Sequence, residues 1–396
     1  MARQNVLLLR GTVANKPRII KRGDTYLYAM ASINTARGVR DVGDGSRYMK
    51  CENPIIMSRS EPIIRQMETW EQRDIVGVYG VIESKHIGKA SICPHCGRKN
   101  IIPGALVFGN PIYVEKLGHL ETDKECLQYL AAHREISNKI YVDGTLVRDP
   151  KLRKWKGADE GGQGISLIIT QYQIALNRKY CDFADPPECK TDYPWVRSIG
   201  KSAEQDRDRL HVGSDVQIDG FFAVRSVNRH SVCGQAYSAK GKALRYDGTE
   251  PVMVLARDKD GNPVPDGNGG FRLTELKDEN GNVVLHAAHS PVMIQAVDPK
   301  TGYPLYDKDG LPVNAGCGET YDWKDRAAEL VPYANATEYL GNVYSDEEVE
   351  EHRRAREAQR ARDLATRDSV NFDEGDKLTE DDLEAGIDEL KPDKKD

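Results

Sequence analysis

Apolar and polar positions alternate over much of the first 230 residues, and this pattern predicts strands. Asn5–Val13 and Tyr26–Ile33 are β-rich runs. Asp74–Ile82 places Ile75, Val76, Val78, Val81 and Ile82 among polar positions, with Gly77 and Gly80 where the backbone must bend or come close to a neighbour. Between them, Ile63, Ile64, Met67 and Trp70 recur at three- to four-residue spacing and predict a short helix, with Trp70 in the core. Strands, one short helix and strands again suggest a small Greek-key barrel rather than a βαβ sheet.

The pattern then repeats. Gly11-Thr12-Val13 with Pro17 and Lys21 matches Gly144-Thr145-Leu146 with Pro150 and Lys154. Ala29–Asn34 parallels Tyr172–Asn177, and Val76–Gly80 parallels Val216–Gly220. Three matched blocks in one order predict a duplicated domain. The first copy covers 1–120 and ends in a strand near Asn110–Leu117; the second covers 138–344. Leu120–Ser137 reads as a polar, helical boundary. In the second copy the last strand is delayed to about Ala336–Val343 by an insertion over 239–314. There Asp260-Gly261-Asn262, Asp266-Gly267-Asn268, Asn280-Gly281-Asn282 and Asp309-Gly310 separate short β-prone runs, the signature of successive hairpins. No EF-hand loop with its closing Glu is present, so hairpin turns account for the Asp residues.

Charge sharpens the division. The net charge is −6. Residues 345–396 carry 19 acidic and 10 basic side chains, which leaves the rest at +3. Asp346–Arg367 reads as a charged helix, acids first and arginines later, in keeping with the helix dipole. The remainder, 368–396, reads as a disordered acidic tail. No apolar run is long enough to span a membrane, and Met1–Asn5 leads into a strand without a signal-peptide pattern, so a cytoplasmic protein is expected.

Two constellations carry chemistry. In Tyr193-Pro194-Trp195-Val196-Arg197, alternate residues place two rings and a guanidinium on one strand face. Such a face stacks unpaired bases beside a phosphate contact. The second is Cys93-Pro94-His95-Cys96-Gly97, whose tight turn presents two thiolates to a tetrahedral ion. Cys233-Gly234 and Cys317-Gly318 stand at the related place in the second copy. The expected set is therefore Cys93, Cys96, Cys233 and Cys317 around a structural zinc. Cys51 or His95 as local ligands, and a separate Cys181–Cys189 pair, remain alternatives. No phosphate-binding Gly-rich loop or nucleophile elbow is found, so no enzyme is expected.

The segment Ile199-Gly200-Lys201-Ser202-Ala203-Glu204, followed by Gly213-Ser214-Asp215-Val216-Gln217-Ile218-Asp219-Gly220, resembles the bacterial and phage single-stranded DNA-binding protein family. Asn138–Pro150 and Ile174–Arg178 are similar to the family's opening strands. The likeness covers about 138–228 well and 5–83 more faintly. It implies an all-β protein of two tandem OB-fold barrels that coats single-stranded DNA in replication, recombination or transfer, in a bacterial, phage or mobile-element setting. It implies DNA-facing roles for Trp155, Tyr172, Arg178, Tyr193, Trp195, Arg197 and Lys201 in the second barrel. The first-barrel counterparts are Tyr26, Tyr28, Arg37, Tyr48 and Lys50. The family assembles four single barrels, so a homodimer or a monomer of this chain could present comparable surface. An acidic tail implies replication or recombination proteins as partners, although Lys391–Asp396 lacks the family's closing Pro-Phe. A protein-interaction module on the same scaffold, and RNA binding, are the alternatives.

Overall fold

The computed structural model describes residues 4–41, 47–158, 164–177, 191–239, 241–267 and 270–367. The chain forms β1 (Asn5–Val13), β2 (Arg18–Arg22), β3 (Thr25–Asp41), β4 (Arg47–Glu52), β5 (Ile55–Ser58), α1 (Glu61–Glu68), β6 (Asp74–Ile92) and β7 (Lys99–His119). Helices α2 (Asp123–Ala132) and α3 (Arg134–Ser137) follow. Then come β8 (Asn138–Ala158), β9 (Gly164–Asn177), β10 (Thr191–Asp192), β11 (Trp195–Ile199), α4 (Lys201–Arg209) and β12 (Asp215–Val232). Short β13 (Met253–Leu255) and β14 (Leu273–Glu275) precede β15 (Thr320–Gly341) and α5 (Asp346–Arg367). The protein is mostly β, as expected. No helix among the described residues is long and apolar enough to cross a membrane.

Contacts divide the chain into two compact units, 1–85 with 106–227 and 326–396, and 86–105 with 228–325. The first unit contains the duplication. β1 pairs antiparallel with β3 and β6, β3 with β5, and β5 parallel with β7, which returns to β6. These five strands close a ring. The second copy repeats it with β8, β9, β11, β15 and β12, including the parallel β11–β15 pair. One helix joins the third and fourth strands of each ring, α1 in the first and α4 in the second. The buried face of α1 is Ile63, Ile64 and Met67, and Trp70 follows it into the core, 1% exposed. Thr122 and Glu125 form a reciprocal capping box at the start of α2, which fixes the helical stretch expected between the copies.

The rings meet at a seam. The first half of β1 pairs antiparallel with the first half of β8, and Leu7 faces Ile140, its own counterpart in the duplication. A matched asparagine holds each side. The Asn5 amide donates to the Ile82 carbonyl and accepts from the Ile82 N–H; Asn138 does the same with Phe222. The sequence blocks above did not reveal this pair.

The second unit contains the outer ends of β6, β7, β12 and β15 and the insertion. The insertion is a series of tight hairpins, as its turn residues predict, with β13–β14 and a run of isolated bridges. The aspartates serve the turns. Asp258 Oδ1 accepts from the N–H of Asp260 and Asn262, Asp278 from Asn280 and Asn282, and Asp307 from Asp309 and Leu311.

Close packing against the neighbouring strand, β7 for Gly80 and β15 for Gly220, makes glycine obligatory at both. A Cβ on Gly220 would lie 2.2 Å from the Val331 carbonyl oxygen, and one on Gly80 2.3 Å from that of Asn110. Backbone cannot move aside as a side-chain tip can. Gly220→Val should therefore lower stability by about 3 kcal/mol, at the upper end of overpacking costs, read as a fall in thermal midpoint. An unchanged midpoint would contradict the ring closure described here.

Candidate nucleic-acid interface and four-cysteine cluster

On β11 alternate residues face opposite ways. Val196 and Ser198 are buried toward the core, and Trp195 and Arg197 point outward. Trp195 pairs with Gln173 of β9, which in turn pairs with Arg148 of β8. The exposed Arg148 guanidinium lies 5.4 Å from the centre of the half-buried Trp195 ring. This is a cation–π contact that keeps a positive charge at the indole. Tyr193 is 47% exposed beside it. Its carbonyl accepts from the Gln173 amide at 2.8 Å, and its N–H donates to Ser84 Oγ at 3.1 Å, so the backbone carrying both rings is held on two sides. The β8 arm adds Lys151, Arg153, Lys154 and Lys156 in sequence. The nearby Asp149 carboxylate accepts from the Val212 N–H.

Several expected site residues have other duties. Tyr172 is a correction: it is fully buried, and its hydroxyl donates to Asp206 Oδ2 at 3.1 Å. Burial, and then the Asp206 charge, push its phenol far up. Burial also raises the Asp206 carboxyl, against donation from Ser198, Tyr339 and Tyr172. Arg197 is a second correction. It is 4% exposed and its Nε lies 3.1 Å from Glu329, which also receives Arg225 and Gln171. Strand alternation assigns Arg197 to the face opposite Val196, but the neighbouring β15 sets Glu329 against it there. Tyr26 is half-buried between Lys21 and Arg65, at 4.1 and 5.1 Å, and donates to Glu68. Arg37 is also engaged, pairing with Glu52 at 3.1 Å and lying 4.6 Å over the Phe221 ring. Tyr28 and Lys50 are half-buried on β3 and β4, and Lys201 is exposed at the start of α4. Trp155 sits opposite Leu167 and Tyr48 opposite Arg40 in their hairpins, with side chains outside the described residues. Arg178 lies outside them altogether, as do Cys181 and Cys189.

Arg148 and Gln173 were not among the expected site residues. Arg148 had a signal: it is the basic residue ahead of the Asp149-Pro150 turn, on the strand two places from β11. Gln173 had none.

In the second unit the four expected cysteines come together. Their sulfurs all lie within 4.8 Å of one another, with Cys93–Cys317 at 3.7 Å and Cys96–Cys233 at 3.5 Å. Four thiolates 2.3 Å from a tetrahedral ion stand about 3.8 Å apart, so the cluster fits zinc. The turns explain the convergence. Cys93 N–H donates to the Arg98 carbonyl and Gly97 N–H to that of Cys93, with Gly97 at φ +72°. On the opposite side Cys233 N–H donates to the Glu319 carbonyl, and Gly318 N–H donates back to that of Cys233. Cys93 and Cys233 are buried with Tyr321, while Cys96 and Cys317 are exposed. Asn100 supports the group: its amide nitrogen lies 3.6 Å from Cys233 Sγ, and its oxygen accepts from the Gly234 N–H. The backbone N–H of Arg98, then the Cys233 thiol, pull Cys96 down to about 6. An N–H from Glu319 favours the Cys317 thiolate, yet desolvation and the neighbouring sulfurs push it up to about 12. Four adjacent thiols do not all ionise without a cation among them. Cys51 and His95 are not members of the cluster.

No family model and no curated protein matches the chain. Among solved structures it is similar to a deletion mutant of the single-stranded DNA-binding protein from Thermus aquaticus. The identity is 18%, over 57% of this chain and 89% of that one, with a TM-score of 0.37. The wild-type Thermus aquaticus protein gives 18% identity, 57% and 87% coverage and a TM-score of 0.35. A Plasmodium falciparum SSB in complex with ssDNA gives 16%, 30% and 96%, and 0.23. Likeness at this level leaves the functional question to the residues themselves.

Arg197 should behave as a structural residue. Arg197→Ala leaves a buried Glu329 short of one partner and should cost about 3 kcal/mol of stability, softened by Arg225. An unchanged melting temperature would contradict the buried pair.

Proposed function

We propose that the protein binds single-stranded DNA with little base preference, through two OB-type barrels formed by the two closed rings. The observation that carries this reading is the Trp195 ring, set beside exposed Tyr193 and under Arg148 at the root of a basic arm. An aromatic face accepts any base, and the flanking cations take the phosphates, so affinity comes without sequence readout. A role in replication, recombination or transfer of DNA follows, as a binder rather than a catalyst. Exposed Leu273, Leu285, Ile294, Val297 and Tyr303 on the insertion favour a second reading, docking of a protein partner there. The two readings are compatible.

Oligo-dT should quench Trp195 fluorescence, and Trp195→Ala should weaken binding by about 1–3 kcal/mol, roughly 5- to 150-fold. Duplex DNA of equal length should bind more weakly, and oligo-U in place of oligo-dT separates RNA from DNA preference. An unchanged affinity in Trp195→Ala would sink the stacking site.

We further propose that Cys93, Cys96, Cys233 and Cys317 hold one structural zinc. All four positions are filled by protein sulfur, so no open coordination place is left for a reaction. The purified protein should contain about one zinc per chain, released by a mercurial. Cys96→Ser with Cys317→Ser should lose it and lower the melting temperature, because metal binding and folding are linked. Equal zinc content in the variant would refute the assignment.

A further inference from the structure

Helix α5 is anchored most densely at its start. Ser345 and Glu348 form a capping box, Asp346 pairs with Arg209 of α4, and Tyr344 packs between His211 and His352. Arg356 ties to Asp208 at 2.7 Å. These contacts account for Asp346 and Glu348 of the first turn. From Arg353 to Gln359, by contrast, every residue is exposed, and no apolar stripe faces a core. A helix polar on all sides gains nothing from burial, so its surface must be explained by its charge. Residues 353–367 contain six arginines against Glu357 and Asp363. Arg353, Arg356, Arg360 and Arg367 follow helical spacing along one stripe, and the segment is about 21 Å long at about 1.5 Å per residue. Glu350 meets Arg353 at 2.8 Å and Arg354 at 3.3 Å, but these side chains are 58% and 76% exposed. Such surface pairs contribute little and yield readily to a phosphate.

We propose that the arginine-rich half of α5 is a second nucleic-acid contact, one that takes the phosphate backbone of the strand bound by the rings. It rests on the single-stranded DNA reading and extends it. The helix stands on α4 of the same ring that presents Trp195, and its guanidiniums offer charge and fork geometry but no ring for stacking. It therefore adds salt-sensitive affinity and no base preference.

The test uses the full chain and oligo-dT over a range of salt. Each phosphate contact contributes about 0.7 to the slope of log affinity against log salt on a single strand. Arg353→Gln, Arg354→Gln, Arg360→Gln and Arg362→Gln together should make that slope shallower by about 2–3. Arg356 is kept because it anchors the helix. The Trp195 quench should be retained, and a benzoylphenylalanine replacing Ala358 should crosslink to the oligonucleotide. A slope unchanged in the fourfold variant overturns the proposal, as does crosslinking only to the chain's own acidic tail. Wild-type protein that fails to bind oligo-dT at all would instead remove the underlying function.

Discussion

The β1–β8 seam is the constraint on which the first unit depends. A strand edge left open is a row of unpaired donors and acceptors. Here each ring's opening strand spends its second half closing its own ring and its first half on its counterpart, so Leu7 meets Ile140 and neither edge stays bare. Asn5 and Asn138 secure the arrangement by satisfying backbone groups of Ile82 and Phe222, where a strand passes from one neighbour to the next. An amide side chain suits this place because it donates and accepts at once. The same geometry knits the copies further: Arg37 pairs with Glu52, and Glu52 accepts the Val224 N–H.

The second unit faces the opposite difficulty. Among the described residues its buried apolar side chains are few, Tyr321 with Cys93 and Cys233 in one group, Ile102 on β7, and Val254 and Leu255 in the insertion. Small domains with little core need another source of stability. Four cysteines on two turns would supply one if they held the proposed ion, which would convert a weak apolar cluster into a covalent-like tie. The hydrogen bonds from Asn100 and the salt bridge from Lys89 to Asp325 at 2.7 Å set the surrounding strands in place.

How far the fold was legible follows from how local each signal is. The mostly β character and helix α1 could be read, because strand alternation and the Ile63–Met67 spacing are short-range patterns. The cysteine set was legible for another reason: a Cys-Gly step recurs at the related turn in each copy. Strand lengths were not. β6 runs to Ile92 and β15 starts at Thr320, well past the apolar stretches, because exposed outer ends need no apolar alternation to pair. The seam asparagines were also invisible, since a buried Asn reads in sequence as a surface residue until its backbone partners are known.

The outer face of β11 shows the same limit at finer scale. Alternation assigns residues to the two faces of a strand, but it does not say that a face is open: Trp195 is half-buried and Arg197 is 4% exposed. It cannot say which neighbour covers them. β15 runs parallel to β11 and places Glu329 against Arg197, so that end of the face becomes a buried ion pair. The other end borders β9 and β8, which present Gln173 and Arg148, and there the indole keeps an exposed cation above it. The charge partner of the tryptophan is therefore supplied across two strands rather than two residues along one. In a closed ring of strands a surface belongs to the ladder, and the neighbours of a residue are found by counting across strands as much as along them.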